Sequence, residues 1–238
     1  MELVINTSTN LAGVALSDHG VVREEIIWRT EQNHTVELLP QVMRLLQTQR
    51  MNVNDLAAIV VARGPGSFNG LRVGLATAKG LAFALRIPLA SISTLEAMAF
   101  VHAAQGLPIC PVIRVGRSEI ASALFQVQDG EWLRIEEERL TTAEELCAAT
   151  TRRTILCGEI EGPFGEEPVS QLMIRPSLTE ESAIPPVMSC LSQLGWRRIL
   201  LGGGDDIRSV QPLYLRRPAI TVPKKRRQDA MSYMWPRP

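Results

Sequence analysis

An α/β fold of two lobes, each with a mixed sheet flanked by helices, is what the sequence predicts. The first hundred residues alternate strand-like and helix-like patterns, and a second series of strands follows a glycine-proline break. The chain has 238 residues, 45% hydrophobic and 21% charged, the profile of a soluble globular protein of one large domain or two small ones.

Taken in order, residues 2–8 and 11–17 are short apolar runs with Thr9-Asn10 as the turn between them. Asp18-His19-Gly20 is a second turn signal, and 21–28 completes an antiparallel meander. The pattern then becomes helix 34–49, strand 56–61, helix 68–85 and strand 89–91, which predicts parallel pairing through crossovers. A third helix, 94–105, is closed by Gly106-Leu107-Pro108, so a first lobe of 1–106 is expected. The second lobe, 107–222, opens with strands 109–115, 120–127 and 132–138. Helix 143–150, strand 154–157 and a Gly/Pro-rich loop over 158–168 follow. A last helix is expected over 180–194, with Pro185-Pro186 at or before its true start, and the lobe's final segment is free to return to the first lobe. Residues 223–238, containing Lys224-Lys225-Arg226-Arg227, lack periodicity and are expected to be a disordered basic tail. No internal repeat of fixed period is visible.

Composition excludes several classes of function. Lys+Arg and Asp+Glu both number 25 and the pI is about 6.8, which argues against a strongly basic nucleic-acid face. Aromatic residues make up only 5%, too few for a stacking platform. No basic region precedes an apolar stretch at Met1-Glu2-Leu3-Val4-Ile5-Asn6, so no signal peptide is expected. The most apolar segment, 71–90, is broken by Arg72, Lys79 and Arg86, so no membrane span is expected. Cys110, Cys147, Cys157 and Cys190 are far apart, which predicts buried free thiols in a reduced, cytoplasmic compartment. His19, His34 and His102 form no HExxH or HxxxH pair, so a metal site built on a helical His pair is excluded. No GxSxG elbow occurs, and no catalytic residue emerges. His34, beside Asn33 and Thr35, suits capping or packing.

Two helices carry more apolar surface than one sheet needs. At about 100° per residue, Val36, Leu38, Leu39, Val42, Met43, Leu45 and Leu46 spread over roughly half the circumference of the first. Pro40 is tolerated only in a first turn, which predicts a start near 35–37 or a kink. In the second, Arg72, Lys79 and Arg86 share one narrow ridge. One side carries Gly70, Gly74, Ala78, Leu81 and Leu85, and another carries Val73, Ala76, Gly80 and Ala84. Three helix glycines cost about 1 kcal/mol each relative to alanine, so something approaches the backbone closely there. Either both lobes of one monomer bury these helices, or one face of each meets a partner protein. The partner alternative assigns Val36, Leu39, Val42, Met43, Leu46, Gly70, Leu71, Gly74, Ala78 and Leu81 to the interface.

Three loops invite a phosphate. Gly64-Pro65-Gly66-Ser67-Phe68-Asn69-Gly70 follows a strand and opens a helix, with Ser67 as N-cap. Such a loop either holds phosphate on backbone N–H groups or makes a tight turn that lets the helix approach the sheet. It lacks the Walker pattern. Asn6-Thr7-Ser8-Thr9 occupies the turn where phosphotransferases of the actin and sugar-kinase superfamily supply an Asp for magnesium. Asn6 is neutral and a poorer ligand for a hard cation, so a degenerate phosphate turn is expected. Gly202-Gly203-Gly204 is either a nucleotide-facing turn or a flexible loop.

Asn6-Thr7-Ser8-Thr9, Asn33-His34-Thr35 with Leu38-Leu39-Pro40, and Arg63-Gly64-Pro65-Gly66-Ser67-Phe68-Asn69-Gly70-Leu71-Arg72-Val73-Gly74 resemble the bacterial TsaB (YeaZ) family. Ser93-Thr94-Leu95 and Pro212-Leu213-Tyr214-Leu215-Arg216 do so as well. The resemblance implies a two-lobed actin-like, sugar-kinase-like (ribonuclease H-like) fold. It implies a non-catalytic partner of TsaD, which transfers a threonylcarbamoyl group to adenosine beside the anticodon of tRNA. TsaE joins that complex, and ATP and threonylcarbamoyl-adenylate serve the complex, not this chain, which is expected to hold no cofactor or metal of its own. Contact with TsaD is implied through 34–49 and 68–85, with a homodimer possible when TsaD is absent, tRNA met through the complex and no membrane involved. Departures from the family pattern are Asn6 for Asp, Asn69 for Thr, and Arg114-Val115-Gly116 before Glu119, and they weaken a case for nucleotide hydrolysis. The competing expectation is a free-standing small-molecule kinase or peptidase-like enzyme. Direct tRNA binding through 224–227 is a third.

Overall fold

The computed structural model describes residues 1–30, 33–116, 118–159, 173–174 and 180–216. Most of the loop expected over 158–168 and all of the tail 223–238 lie outside them. β1 (Glu2–Asn6), β2 (Leu11–Asp18) and β3 (Val21–Arg29) form the meander, followed by α1 (His34–Thr48), β4 (Ala58–Gly64), α2 (Phe68–Leu85), β5 (Leu89–Ser93) and α3 (Thr94–Phe100). The second series is β6 (Ile109–Arg114), β7 (Ile120–Gln128), β8 (Glu131–Thr141), α4 (Ala143–Ala149), β9 (Thr154–Gly158), β10 (Met173–Ile174) and α5 (Glu180–Gly202).

Each lobe contributes a five-stranded sheet, ordered β3-β2-β1-β4-β5 and β8-β7-β6-β9-β10. In the first, β1–β2 and β2–β3 are antiparallel while β1–β4 and β4–β5 are parallel. The second repeats the scheme, antiparallel across β6–β7–β8 and parallel across β6–β9–β10. This is the actin-like α/β fold. The duplication is topological and leaves no repeat in the sequence.

The strands β1, β2, β4 and β5 of the first sheet are buried on both faces, while β3 forms a partly exposed edge. Leu3, Ile5, Ile59 and Val61 point toward α1 and α2, joining Leu38, Val42, Leu45, Leu46, Leu75, Ala78 and Ala82 in one cluster. Val4, Ala15, Val60 and Ala62 point the other way, against α5 and α3. Leu95 and Ala99 of α3 reach the second sheet, packing with Ile109, Ile113 and Phe125. The last helix therefore returns to the first lobe's sheet. The hairpin between β2 and β3 turns through His19 and Gly20, both at positive φ (53° and 79°), where glycine adopts the left-handed region without penalty.

Three expectations change. α1 begins at His34, so Pro40 sits in its second turn rather than its first, at an exposed position. α5 begins at Glu180, ahead of Pro185-Pro186, and runs on to Gly202. Two prolines there remove helical N–H donors, but the apolar length from Val187 to Leu194 is buried against the sheet and holds the helix. The α3 helix ends at Phe100, with a short 3-10 turn, Ala103–Gln105, completing the expected segment.

Candidate functional site

β1 carries Asn6 to the end of the first sheet, where the Asn6 side chain closes the turn on itself. Asn6 Oδ1 accepts the Ser8 N–H at 3.1 Å and the Ser8 hydroxyl at 2.7 Å. The Thr7 hydroxyl donates to the Gly70 carbonyl at 2.8 Å, and the Ser67 N–H donates to the Ser8 carbonyl at 2.7 Å. Asn6, Thr7 and Ser8 are all buried, and half-buried Thr9 donates its hydroxyl to the Leu11 carbonyl at 2.9 Å. A Cβ at Gly66 would collide with the Ser8 carbonyl, one at Gly70 with the Thr7 carbonyl, and one at Gly74 with Thr7 Oγ1. The first turns of α2 thus lie directly against the Asn6 turn. The glycine loop makes a tight turn that brings α2 against the Asn6 turn, and Ser67 caps the helix by accepting the Gly70 N–H at 3.3 Å.

His34 packs beside this turn. It is buried, its Nε2 faces Gly70, and its Nδ1 has no hydrogen-bond partner. Burial pushes its imidazole below the ordinary histidine value of 6.5 by disfavouring the charged form, against a smaller opposing pull from Glu37. In the glycine triplet, a Cβ at Gly202 or Gly203 would meet nothing within 4 Å, while Gly204 packs against the Leu89 backbone. Residues 198–202 close α5, and the chain beyond leads to Asp205, whose N–H donates to the Leu89 carbonyl at 2.7 Å. Burial pushes the Cys110 and Cys190 thiols up to about 12 and Cys157 higher still, so none is poised as a thiolate nucleophile. Among the described residues, no group of three His, Cys, Asp or Glu is placed to hold a metal. No helix among them is long and apolar enough to cross a membrane.

The two helices divide the predicted interface residues. Val42 and Leu46 of α1 are core residues at 2% and 1% exposure, packed on the sheet. Gly70, Leu71, Gly74 and Ala78 of α2 are buried as well, because that side of the helix lies on β1, β4 and the Asn6 turn. These six residues face inward, correcting the outward assignment. The close approach inferred from the glycines is real at Gly70 and Gly74, and the approaching group is this chain's own Thr7. Outside remain Val36 (69% exposed), Leu39 (50%) and Met43 (50%) on α1, spaced three and four residues apart. On α2 the outward side carries Ala76, Gly80, Ala84 and Phe83, the last 72% exposed, with Leu81 half-buried at its edge. A Cβ added at Gly80 meets nothing within 4 Å. Phe83 was missed by the sequence analysis, although its spacing from Ala76 and Gly80 marks it as outward once the buried side is known.

A family model described as TsaD, tRNA N6-adenosine threonylcarbamoyltransferase, matches residues 10–162, well over half of the chain. The chain belongs to this family. Within it, the likeness is to the TsaB (YeaZ) proteins. The Bacillus subtilis tRNA threonylcarbamoyladenosine biosynthesis protein TsaB is 38% identical over 128 residues, 54% of this chain and 56% of that protein. The Escherichia coli protein of the same name is 38% identical over 97 residues, 41% of this chain and 42% of its own. The chain thus spans about half the length of the curated relatives it matches. The solved structure of YeaZ from Pseudomonas aeruginosa superposes with a TM-score of 0.71 at 26% identity, covering 90% of this chain and 99% of that one.

Proposed function

We propose that this chain is a non-catalytic scaffold subunit in tRNA threonylcarbamoyladenosine synthesis, docking on TsaD through the outward faces of α1 and α2. The observation that carries the reading is the row Val36, Leu39 and Met43 on α1, exposed although it sits beside a well-filled core. Apolar side chains repeated along one exposed helix face mark an association surface. The TsaB names of the relatives supply the pathway. The TsaD model's match to this chain supplies the partner's shape, since two chains of one fold can pair like faces about a pseudo-two-fold axis. The closed turn at Asn6 supports the non-catalytic part of the reading. ATP and threonylcarbamoyl-adenylate then belong to TsaD and its complex, which TsaE joins and through which tRNA is met, in the cytoplasm. Alone, the same faces pair two copies of this chain.

The test is to mix the chain with TsaD and measure mass by size-exclusion chromatography with light scattering. A 1:1 complex is expected, lost in Leu39→Arg while the free variant stays within about 0.5 kcal/mol of the parent stability, as an exposed site allows. Absence of a complex with the parent chain contradicts the reading. Gly74→Arg is not a surface probe, because Thr7 occupies the space beside it.

A further inference from the structure

Beyond α5 the chain runs without regular structure from Asp205 to Arg216 along the flank of α2, from one lobe to the other. Its first anchor is Asp205: the carboxylate accepts the Ser91 N–H at 2.6 Å and pairs with Arg198 at 2.6 Å, while its own N–H donates to the Leu89 carbonyl at the start of β5. Ile207 and Val210 pack into the cluster beneath α1 and α2. Lys79 Nζ donates to the Val210 carbonyl at 3.0 Å, and the Leu213 N–H donates to the Arg63 carbonyl at 2.8 Å at the end of β4. Arg72 Nε donates to the Tyr214 hydroxyl at 3.0 Å, and the Arg72 guanidinium lies 3.9 Å over the Phe68 ring, itself 5.0 Å from the Tyr214 ring. Leu215 packs into the second lobe's core, and Arg216 pairs with Glu119 at 3.3 Å.

Two residues of the α2 basic ridge, Arg72 and Lys79, are thereby committed to this segment. The rest of the segment is fixed to strand ends of the first lobe and to the opening turn of the second. We propose that residues 205–216 are a strap that sets the position of α2 against both lobes and so determines which α2 face is offered to a protein partner. Tyr214 and Leu213 are positioning residues. The strap covers the Arg72–Lys79 flank and leaves Ala76, Gly80 and Phe83 outside, and each anchor removes freedom from a helix whose inner side holds only small residues at Gly70 and Gly74. The partner part rests on the functional reading above, with TsaD as that partner.

Hydrogen exchange on the full-length chain tests the strap without a partner. Tyr214→Ala and Leu213→Pro are expected to speed exchange of amides in residues 70–77 by about tenfold or more, leaving α4 unchanged, since a local opening is read at the amides it frees. Affinity for TsaD is expected to fall at least about fivefold in both variants, with Tyr214→Phe between them and the parent because it keeps the ring contacts. Unchanged exchange in α2 for both substitutions overturns the strap. Faster exchange with undiminished TsaD affinity overturns its positioning role. A parent chain that does not bind TsaD refutes the functional reading, and the exchange arm then decides the strap alone.

Discussion

A methyl group added at Gly74 would run into Thr7 Oγ1, whereas one added at Gly80 would meet nothing within 4 Å. The same residue type on one helix therefore answers to different constraints. Gly74→Ala is expected to destabilise the free chain by about 2 kcal/mol or more, as overpacking against a hydrogen-bonded threonine requires. Gly80→Ala is expected to stabilise it by up to about 1 kcal/mol through helix propensity. Urea unfolding of both variants checks the pair. His34 gives a second residue-scale outcome. Its folded-state pKa lies below the unfolded value because burial disfavours the imidazolium. The unfolded chain then takes up the proton first as pH falls below about 6.5, so stability drops on acidification by at most about 1.4 kcal/mol per pH unit from this group. His102 is depressed by the same cause and acts in the same direction. Stability followed by urea between pH 7.5 and 5.5 should decline, and His34→Gln should reduce the slope.

At the scale of elements, α1 separates cleanly into two rows. Leu45 is fully buried between sheet and α2, so Leu45→Ala should cost roughly 2–5 kcal/mol in urea unfolding, against almost nothing for the exposed Leu39. The wheel made both rows legible, because apolar periodicity reports how wide a greasy face is. It does not report direction. On α2, which is small or apolar almost all round, the choice between the Gly74 side and the Gly80 side depends on Thr7, which lies 67 residues earlier. The meander, both crossover helices and the Ser67 cap were legible for a simpler reason: local turn and capping chemistry decides them. The full length of α5 was hidden by Pro185-Pro186, whose local penalty is overridden by tertiary burial of Met188 and Leu191. The segment Asp205–Arg216 carries no periodicity at all, since it is held by single hydrogen bonds, ion pairs and isolated apolar contacts to residues distant in the chain.

At the scale of the molecule, the two sheets share one strand order, and helices tie the lobes together. α3 touches both cores, and α5 returns from the second lobe to cover the first sheet. This arrangement encloses one face of the first sheet between its strands and α5, and leaves α1 and α2 as the outer layer of the other. On the proposed reading, a partner of the same fold meets the molecule at that layer. The measurement that tests this most directly is amide hydrogen exchange of the whole chain with and without saturating TsaD. The account predicts slowed exchange concentrated in α1 and α2, with the outer face of β8 and α4 unaffected. Protection confined to the second lobe, with α1 and α2 exchanging as in the free chain, would contradict it.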